Sequence, residues 1–355
     1  MDRLEMIAAL SEANGVSGFE DEVLQAARRF APGNLDITED SMRNLYLRRR
    51  SNTGGKPVVQ LDAHSDEVGF MVHSIRPNGT LKFITIGGWV SSNIPAHRVR
   101  VQNRDGKWIP GVTAAKPPHF MTEEEKNRTP RVEDMSIDIG ACSVEEARDV
   151  FGIRTGAPVV PDVAFEYDRP HDLMFGKAFD NRLGCSAILA VLEDLGDEPL
   201  PVDVVSAIAS QEEVGTRGAV VTARTVKPDI AIVFEGCPAD DTVVPACEVQ
   251  TALHKGPMLR HIDARMITNP RFQRFTLDLG EELGIPVQDS VRTGGSTDGA
   301  PIHLSNSGVP VIVIGLPVRY IHSHYGIAAY EDFSNAVKLA CAVIRRLDAN
   351  TIRSF

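Results

Sequence analysis

The stretch VDVVSAIASQEEVGTRGA, residues 202–219, decides the fold of this chain. Its first half is a strand-like run of β-branched and small residues, and its end, from Gly215, reads as the start of a helix. Between them stand Glu212 and Glu213, like charge against like charge, where the strand should end. Adjacent glutamates are common on solvated loops, so the pair acquires meaning only from its surroundings. Outward from it the rhythm is strand–helix–strand. NRLGCSAILAVLEDL (181–195) reads as a helix, PDIAIVF (228–234) as a strand, NPRFQRFTLDLGEELG (269–284) as a helix and VPVIVIG (309–315) as a strand. YEDFSNAVKLACAVIRRLDA (330–349) closes the series as a helix. Short β-branched runs alternating with helices predict an α/β sheet with helices on both faces.

The first part of the chain fits the same sheet. MDRLEMIAALSEANG reads as an amphipathic helix, and Ser17 with Glu20 in SGFE forms a capping box for a helix over 22–30. PVVQLDA (57–63) is a buried-type strand that ends in His64, Ser65, Asp66 and Glu67. Residues 71–165 then change texture to hairpins, with an Asn-Gly turn in RPNGT and an Asp-Gly turn in QNRDGKW. The polar segment 116–135 reads as an exposed loop. The simplest assembly joins residues 1–70 and 166–355 as one catalytic α/β domain, with a small β-rich domain, 71–165, inserted between them.

Composition excludes several classes of function. The chain has 355 residues, 43% of them hydrophobic, and a formal net charge of −11. That acidity argues against nucleic acid or an anionic membrane as a partner. No apolar run approaches the roughly 20 residues of a membrane span. The N-terminus lacks the apolar core and cleavage site of a signal peptide. Five cysteines without a CxxC pair fit a reduced cytoplasmic protein.

In open α/β sheets, function collects at the carboxyl ends of the strands. The polar residues of this chain obey that rule. VVQLDA ends in His64 and Asp66, SAIAS in Glu212 and Glu213, AIVF in Glu235, and VIVIGLPVRYI in His322. Asp180 opens a helix instead, where it can serve as a simple N-cap. Either histidine can be a packed or solvated side chain when taken alone. Together, two imidazoles and at least three carboxylates on one edge suit a pair of divalent ions such as zinc, cobalt or manganese. Asp66, two residues beyond His64, can reach the far ring nitrogen and fix the tautomer. Adjacent residues at a strand end point in opposite directions, so one glutamate should bind metal while the other stays free. Two divalent cations against Asp180, Glu213 and Glu235 leave one positive charge, which a bridging hydroxide would cancel. A free Glu212 beside it can take up the proton and pass it on.

The motifs DAHSDEVGF (62–70), GKAFDNRLG (176–184), QEEVGTRGA (211–219), TGGSTDGAPI (293–302) and PVRYIHS (317–323) occur in one order. In that order the chain resembles the dinuclear metallo-aminopeptidases typified by the tetrahedral (TET) and glutamyl aminopeptidases, some of which carry cellulase-like names. The resemblance spans nearly the whole chain. It implies a zinc-exopeptidase-like sheet carrying a PDZ-like insert, with two divalent metal ions per subunit. It implies His64, Asp180, Glu213, Glu235 and His322 as ligands, Asp180 as the bridge and Glu212 as general base. Many members have aspartate at the position of Glu235. In GGSTDG, either Thr297 or Asp298 is expected to line the pocket. The implied activity is release of N-terminal residues from short peptides. Hydrolysis of a modified amino acid by the same chemistry, or a metal-independent glycosidase built on two acids, are the alternatives. An insert of about 95 residues has a small core, and its hairpin edges, with Trp89 and Trp108, need cover. A homo-oligomer built from dimers, with a dodecamer as final state, is expected.

Overall fold

The computed structural model describes residues 1–355. Seventeen strands follow in chain order. Three precede the insert: β1 (Leu35–Glu39), β2 (Leu45–Arg49) and β3 (Val58–His64). Six build it, the first starting two residues before the expected boundary at 71: β4 (Gly69–Ile75), β5 (Leu81–Ile86), β6 (Arg98–Gln102), β7 (Trp108–Ala114), β8 (Ser136–Asp138) and β9 (Pro158–Pro161). After it come β10 (Glu166–Asp168), β11 (Leu173–Gly176), β12 (Asp203–Ala209) and β13 (Ile230–Pro238). The last four are β14 (Met258–Ile262), β15 (Gln288–Val291), β16 (Val311–Val318) and β17 (Gly326–Ala329).

The main sheet is mixed, in the order β1-β2-β12-β3-β13-β16-β14-β15. Its four central strands are parallel and almost wholly buried, as Val/Ile-rich strands covered on both faces should be. Alternation along β13 and β16 divides their side chains between two cores. Ile230, Ile232, Phe234, Ile312 and Ile314 join the larger core with the helices Phe179–Leu195 and Tyr330–Arg346. Ala231, Val233, Val311 and Val313 face the other way, onto Ala219 and Ala223 of the helix Arg217–Val226 and Ile302. Helices therefore cover both faces. Each fully buried Ile or Val contributes about 1.5–3 kcal/mol, which is why one substitution here tells on the whole sheet.

The insert closes on itself as a six-stranded barrel, β4-β5-β8-β7-β6-β9. Fifteen buried hydrophobic residues, among them Phe70, Val72, Phe83 and Val99, fill it. Closure removes the hairpin edges expected from the sequence. The two tryptophans are half-buried and each finds a partner within the chain. Trp89 stacks on Phe70 at 4.7 Å and donates to the Gly69 carbonyl. Trp108 donates to Glu22 of the helix Asp21–Phe30. Apolar side chains nevertheless remain exposed on the insert, among them Val90, Val112, Phe120 and Val150. Segment 116–135 is largely exposed, with one short helix, Glu123–Lys126, capped by Thr122 and Glu125.

Two further readings are corrected. Ser17 and Glu20 do not form a capping box: Glu20 makes no cap bond to the helix, and both side chains turn inward. A second small sheet, β10-β11-β17, was not foreseen, because its strands are only three or four residues long. No helix is long and apolar enough to cross a membrane.

Candidate active site

All the singled-out side chains meet at the carboxyl edge of the central strands. His64 is the last residue of β3. Glu212 and Glu213 follow β12 in a turn that starts with Gln211 at φ 55°. Glu235 lies inside β13, three residues before its end, because pairing with β16 carries the strand on to Pro238. His322 sits at φ 56° in the loop between β16 and β17. Asp180, at φ −87° and ψ 103°, is outside helical geometry. It is not a cap, since its two oxygens face the two imidazoles: Oδ1 lies 3.1 Å from His64 Nε2 and Oδ2 3.4 Å from His322 Nε2.

Two donor clusters share that aspartate. His64, Asp180 and Glu235 form one, with Glu235 Oε2 3.9 Å from His64 Nε2. Asp180, Glu213 and His322 form the other, with Glu213 Oε2 3.6 Å from His322 Nε2. Glu212 Oε2 lies 3.9 Å from His64 Nε2. Glu212 and Glu213 thus reach one cluster with His64 and do not diverge. Strict alternation fails because the pair has left the strand and entered a turn. Asn181 donates 3.0 Å to Glu235 Oε2 and holds it in place. Asp66 is fully buried, its Oδ1 3.3 Å from His64 Nδ1, and it accepts the backbone N–H groups of both Glu212 and Glu213.

The electrostatics are those of a crowded anionic site. Burial lifts the Glu212 carboxyl to about 7, the nearby imidazoles opposing and Asp66 and Asp180 assisting. Burial and neighbouring carboxylates raise Glu213 and Glu235 well above the usual range. Burial works against the imidazolium of His64, but Asp180 and Asp66 outweigh it and raise it well above its ordinary value. His322 is lifted in the same way, against burial, to about 9, chiefly by Asp180. Burial would also raise Asp180, yet the two histidines hold it below the carboxylate range. Glu213 Oε1 is buried with no partner at all. Imidazole nitrogens and carboxylate oxygens in two triads with a common aspartate are the donor set of a pair of borderline divalent ions, and the residues fit them. The buried thiols Cys185 and Cys237 take no part in either cluster.

These clusters floor a cavity of about 500 Å³ in which Ile321 is the one hydrophobic lining residue. Its wall carries three arginines, Arg260, Arg265 and Arg292, which nothing in the sequence pattern marked. Arg260 lies 3.3 Å from Asp263 and Arg292 3.1 Å from Asp240, but the Nε of each is buried without a partner. Arg265 is exposed, with a contact of 3.5 Å to Thr216. Of the TGGSTDG motif, Gly294, Gly295 and Ser296 line the cavity, and neither Thr297 nor Asp298 does. Asp298 is wholly buried below, its carboxyl pushed up by burial and by the charge of Asp62.

Comparison with known proteins gives first the class: the chain is a hydrolase acting on peptide bonds. It belongs to the M42 glutamyl aminopeptidase family, whose profile matches residues 44–339. It is 33% identical over 354 residues to the glutamyl aminopeptidase of Lactococcus lactis subsp. cremoris, covering 99% of this chain and 98% of that one. The TET aminopeptidase of a marine-sediment Thaumarchaeota archaeon has the same fold, with a TM-score of 0.93 and 36% identity over 100% of this chain and 99% of that one. The TET1 peptidase of Pyrococcus horikoshii, which can assemble into a tetrahedron or a large octahedral shell, matches with a TM-score of 0.87. Its identity is 26%, over 98% of this chain and 100% of that one.

Proposed function

We propose that the chain is a dinuclear metallo-aminopeptidase that removes acidic N-terminal residues from short peptides. The sharing of Asp180 between two His–carboxylate clusters carries the reading. His64, Asp180 and Glu235 would hold one divalent cation, and Asp180, Glu213 and His322 would hold the other. Bound there, zinc, cobalt or manganese ions supply Lewis acidity and lower the pKa of water toward ~7. Glu212, beside both clusters and needed by neither, takes the proton of the attacking water and returns it to the leaving amine. Asp66 acts through His64, fixing its ring orientation.

The basic wall supports the substrate class. Arg265 is the one arginine of the wall without an ion pair, and Arg260 and Arg292, paired with Asp263 and Asp240, add positive charge beside it. A carboxylate would pair with the exposed Arg265 in the positive field of Arg260 and Arg292, whereas a lysine would be repelled and a leucine would find one apolar neighbour. The glutamyl name of a relative agrees with that preference.

Assembly into a closed homo-oligomeric shell of dimers, a dodecamer, is proposed on the likeness to a shell-forming peptidase. The barrel has no open hairpin edges, but Val90, Val112, Phe120 and Val150 stay exposed on the insert and are available for contacts between subunits. Light scattering tests the assembly: a mass of 38.7 kDa in solution would rule out the shell.

The test of function is release from Glu, Gln, Lys and Leu reporters by protein loaded with each ion, alongside elemental analysis. About two ions per chain, one lost in His64→Ala or His322→Ala, and turnover fastest on Glu are expected. Turnover that survives EDTA, or that needs an N-acylated substrate, would overturn the reading.

A further inference from the structure

The segment SGFE, residues 17–20, turns its polar groups away from the helix it precedes and toward the catalytic turn. Ser17 Oγ donates to Asp66 Oδ2 at 2.6 Å. The same carboxylate accepts Glu212 N at 2.9 Å on Oδ1 and Glu213 N at 3.1 Å on Oδ2. Its other neighbour is His64 Nδ1. One buried side chain is therefore tied at once to the proposed base, to a ligand of each ion and to the N-terminal segment.

Glu20 makes a parallel link. It is fully buried, and its Oε1 accepts Gly18 N at 2.9 Å and Gln211 N at 3.2 Å, the residue directly before Glu212. The segment is itself clamped. Gly15 N donates to Glu67 Oε1, Glu67 N donates to the Gly15 carbonyl, and Val16 bridges Glu67 in parallel. Helix capping would need none of these contacts, and capping is what both residues forgo.

We propose that Ser17 and Glu20 are positioning residues for catalysis: a brace from the N-terminal segment that fixes the 211–213 turn and, through Asp66, the ring of His64. The brace rests on the proposed function for its consequence in rate, but not for its geometry. The turn needs external support for a physical reason. Gln211 sits at positive φ and Gly215 at φ 118°, so the local backbone is not held by regular ladders. Two adjacent carboxylates also repel each other along it. Hydrogen bonds to the buried Asp66 carboxylate, stronger than a neutral pair, together with the Glu20 acceptor supply what the ladder does not.

The test compares Ser17→Ala, Glu20→Ala and Glu20→Gln with the parent chain. In metal-free protein, hydrogen exchange at the amides of 211–213 should quicken in Ser17→Ala and Glu20→Ala. In titrations against a chelating indicator, affinity at the weaker-held ion should fall about 10-fold in Ser17→Ala, the size typical of losing a partner of a ligand. In the loaded enzyme kcat should fall by about the same factor with KM nearly constant. Glu20→Gln keeps an acceptor for both amides and should restore exchange and kcat toward the parent values. Ser17→Ala that lowers only the thermal midpoint, with exchange, metal affinity and kcat at parent values, overturns the brace. Faster exchange and weaker metal binding in Ser17→Ala, together with an unimpaired Glu212→Gln, would uphold the brace and remove Glu212 as the base.

Discussion

The carboxyl edge of the main sheet and the interior of the barrel spend their buried positions in opposite ways. The barrel core is almost wholly hydrophobic, with Thr113 as a buried polar side chain, and ion pairs such as Arg131–Asp134 and Arg148–Asp149 lie on the surface. Beneath the cavity the sheet buries Asp62, His64, Asp66, Glu67, Lys177, Arg182 and Asp298. Such groups are costly to bury unless paired. Some are paired: Lys177 Nζ reaches Glu67 at 2.6 Å, and Arg182 donates to Glu67 and to the carbonyls of Leu10, Ala13, Gly15 and Ser65. Others, including Glu213 and Asp298, retain oxygens with no partner. One region stores stability and the other stores charge for chemistry.

The sharpest way to break that contrast is to neutralise one charge at the edge. Glu212→Gln should keep the metals and reduce kcat by roughly 10² to 10⁴, measured on a Glu reporter. Glu213→Gln should instead weaken metal binding, and exchanged phenotypes would reverse the two assignments.

The next largest effect is on stability. Burial, with Asp66 adding to it, raises the Glu20 carboxyl from 4.5 to about 7. The folded state therefore favours its protonated form more than the unfolded chain does. That contribution is fully present below pH 4.5 and is lost as pH rises through 7. Its size is on the order of 3 kcal/mol. Glu20→Gln should flatten this part of the stability curve between pH 4.5 and 8, and an unchanged slope in denaturant titrations would refute the assignment.

A smaller effect belongs to the basic wall. Arg265→Met and Arg292→Met should each lower kcat/KM for a Glu reporter by about 10- to 100-fold, the worth of a charge-assisted hydrogen bond, and leave a Gln reporter near its parent value. Equal losses on both reporters would place these arginines outside substrate recognition.

The smallest effect is expected in the barrel. Arg131→Ala removes an exposed pair with Asp134 and should alter neither the thermal midpoint nor turnover. A measurable fall in either would mean that this surface is covered in the assembled protein.

Much of this was legible in the chain itself. The Val/Ile-rich strands and the long helices followed from hydrophobic period alone, because strands buried on both faces leave an unmistakable run of apolar residues. His64, Asp180, Glu213, Glu235 and His322 were legible because each breaks such a run or opens the helix beside it. The outer strands β1, β2, β14 and β15 were not, since LDITE, LYLRR, MLRHI and QDSV mix polar and apolar residues with no lasting period. Local pattern also misassigned SGFE, whose spacing satisfies a capping box while its partners lie 49 and 191 residues away. The arginines of the cavity come from positions 260, 265 and 292, and no spacing announces that they face one wall. The sequence by itself determined the central strands, the long helices and the edge of the sheet where histidines and acids gather, because hydrophobic period and residue type are local properties. Only the tertiary structure decided that Asp180 faces both histidines, that the insert closes into a barrel, and that Ser17 and Glu20 hydrogen-bond to Asp66 and the 211–213 turn. Those outcomes depend on contacts between residues far apart in the chain, which a one-dimensional pattern does not contain.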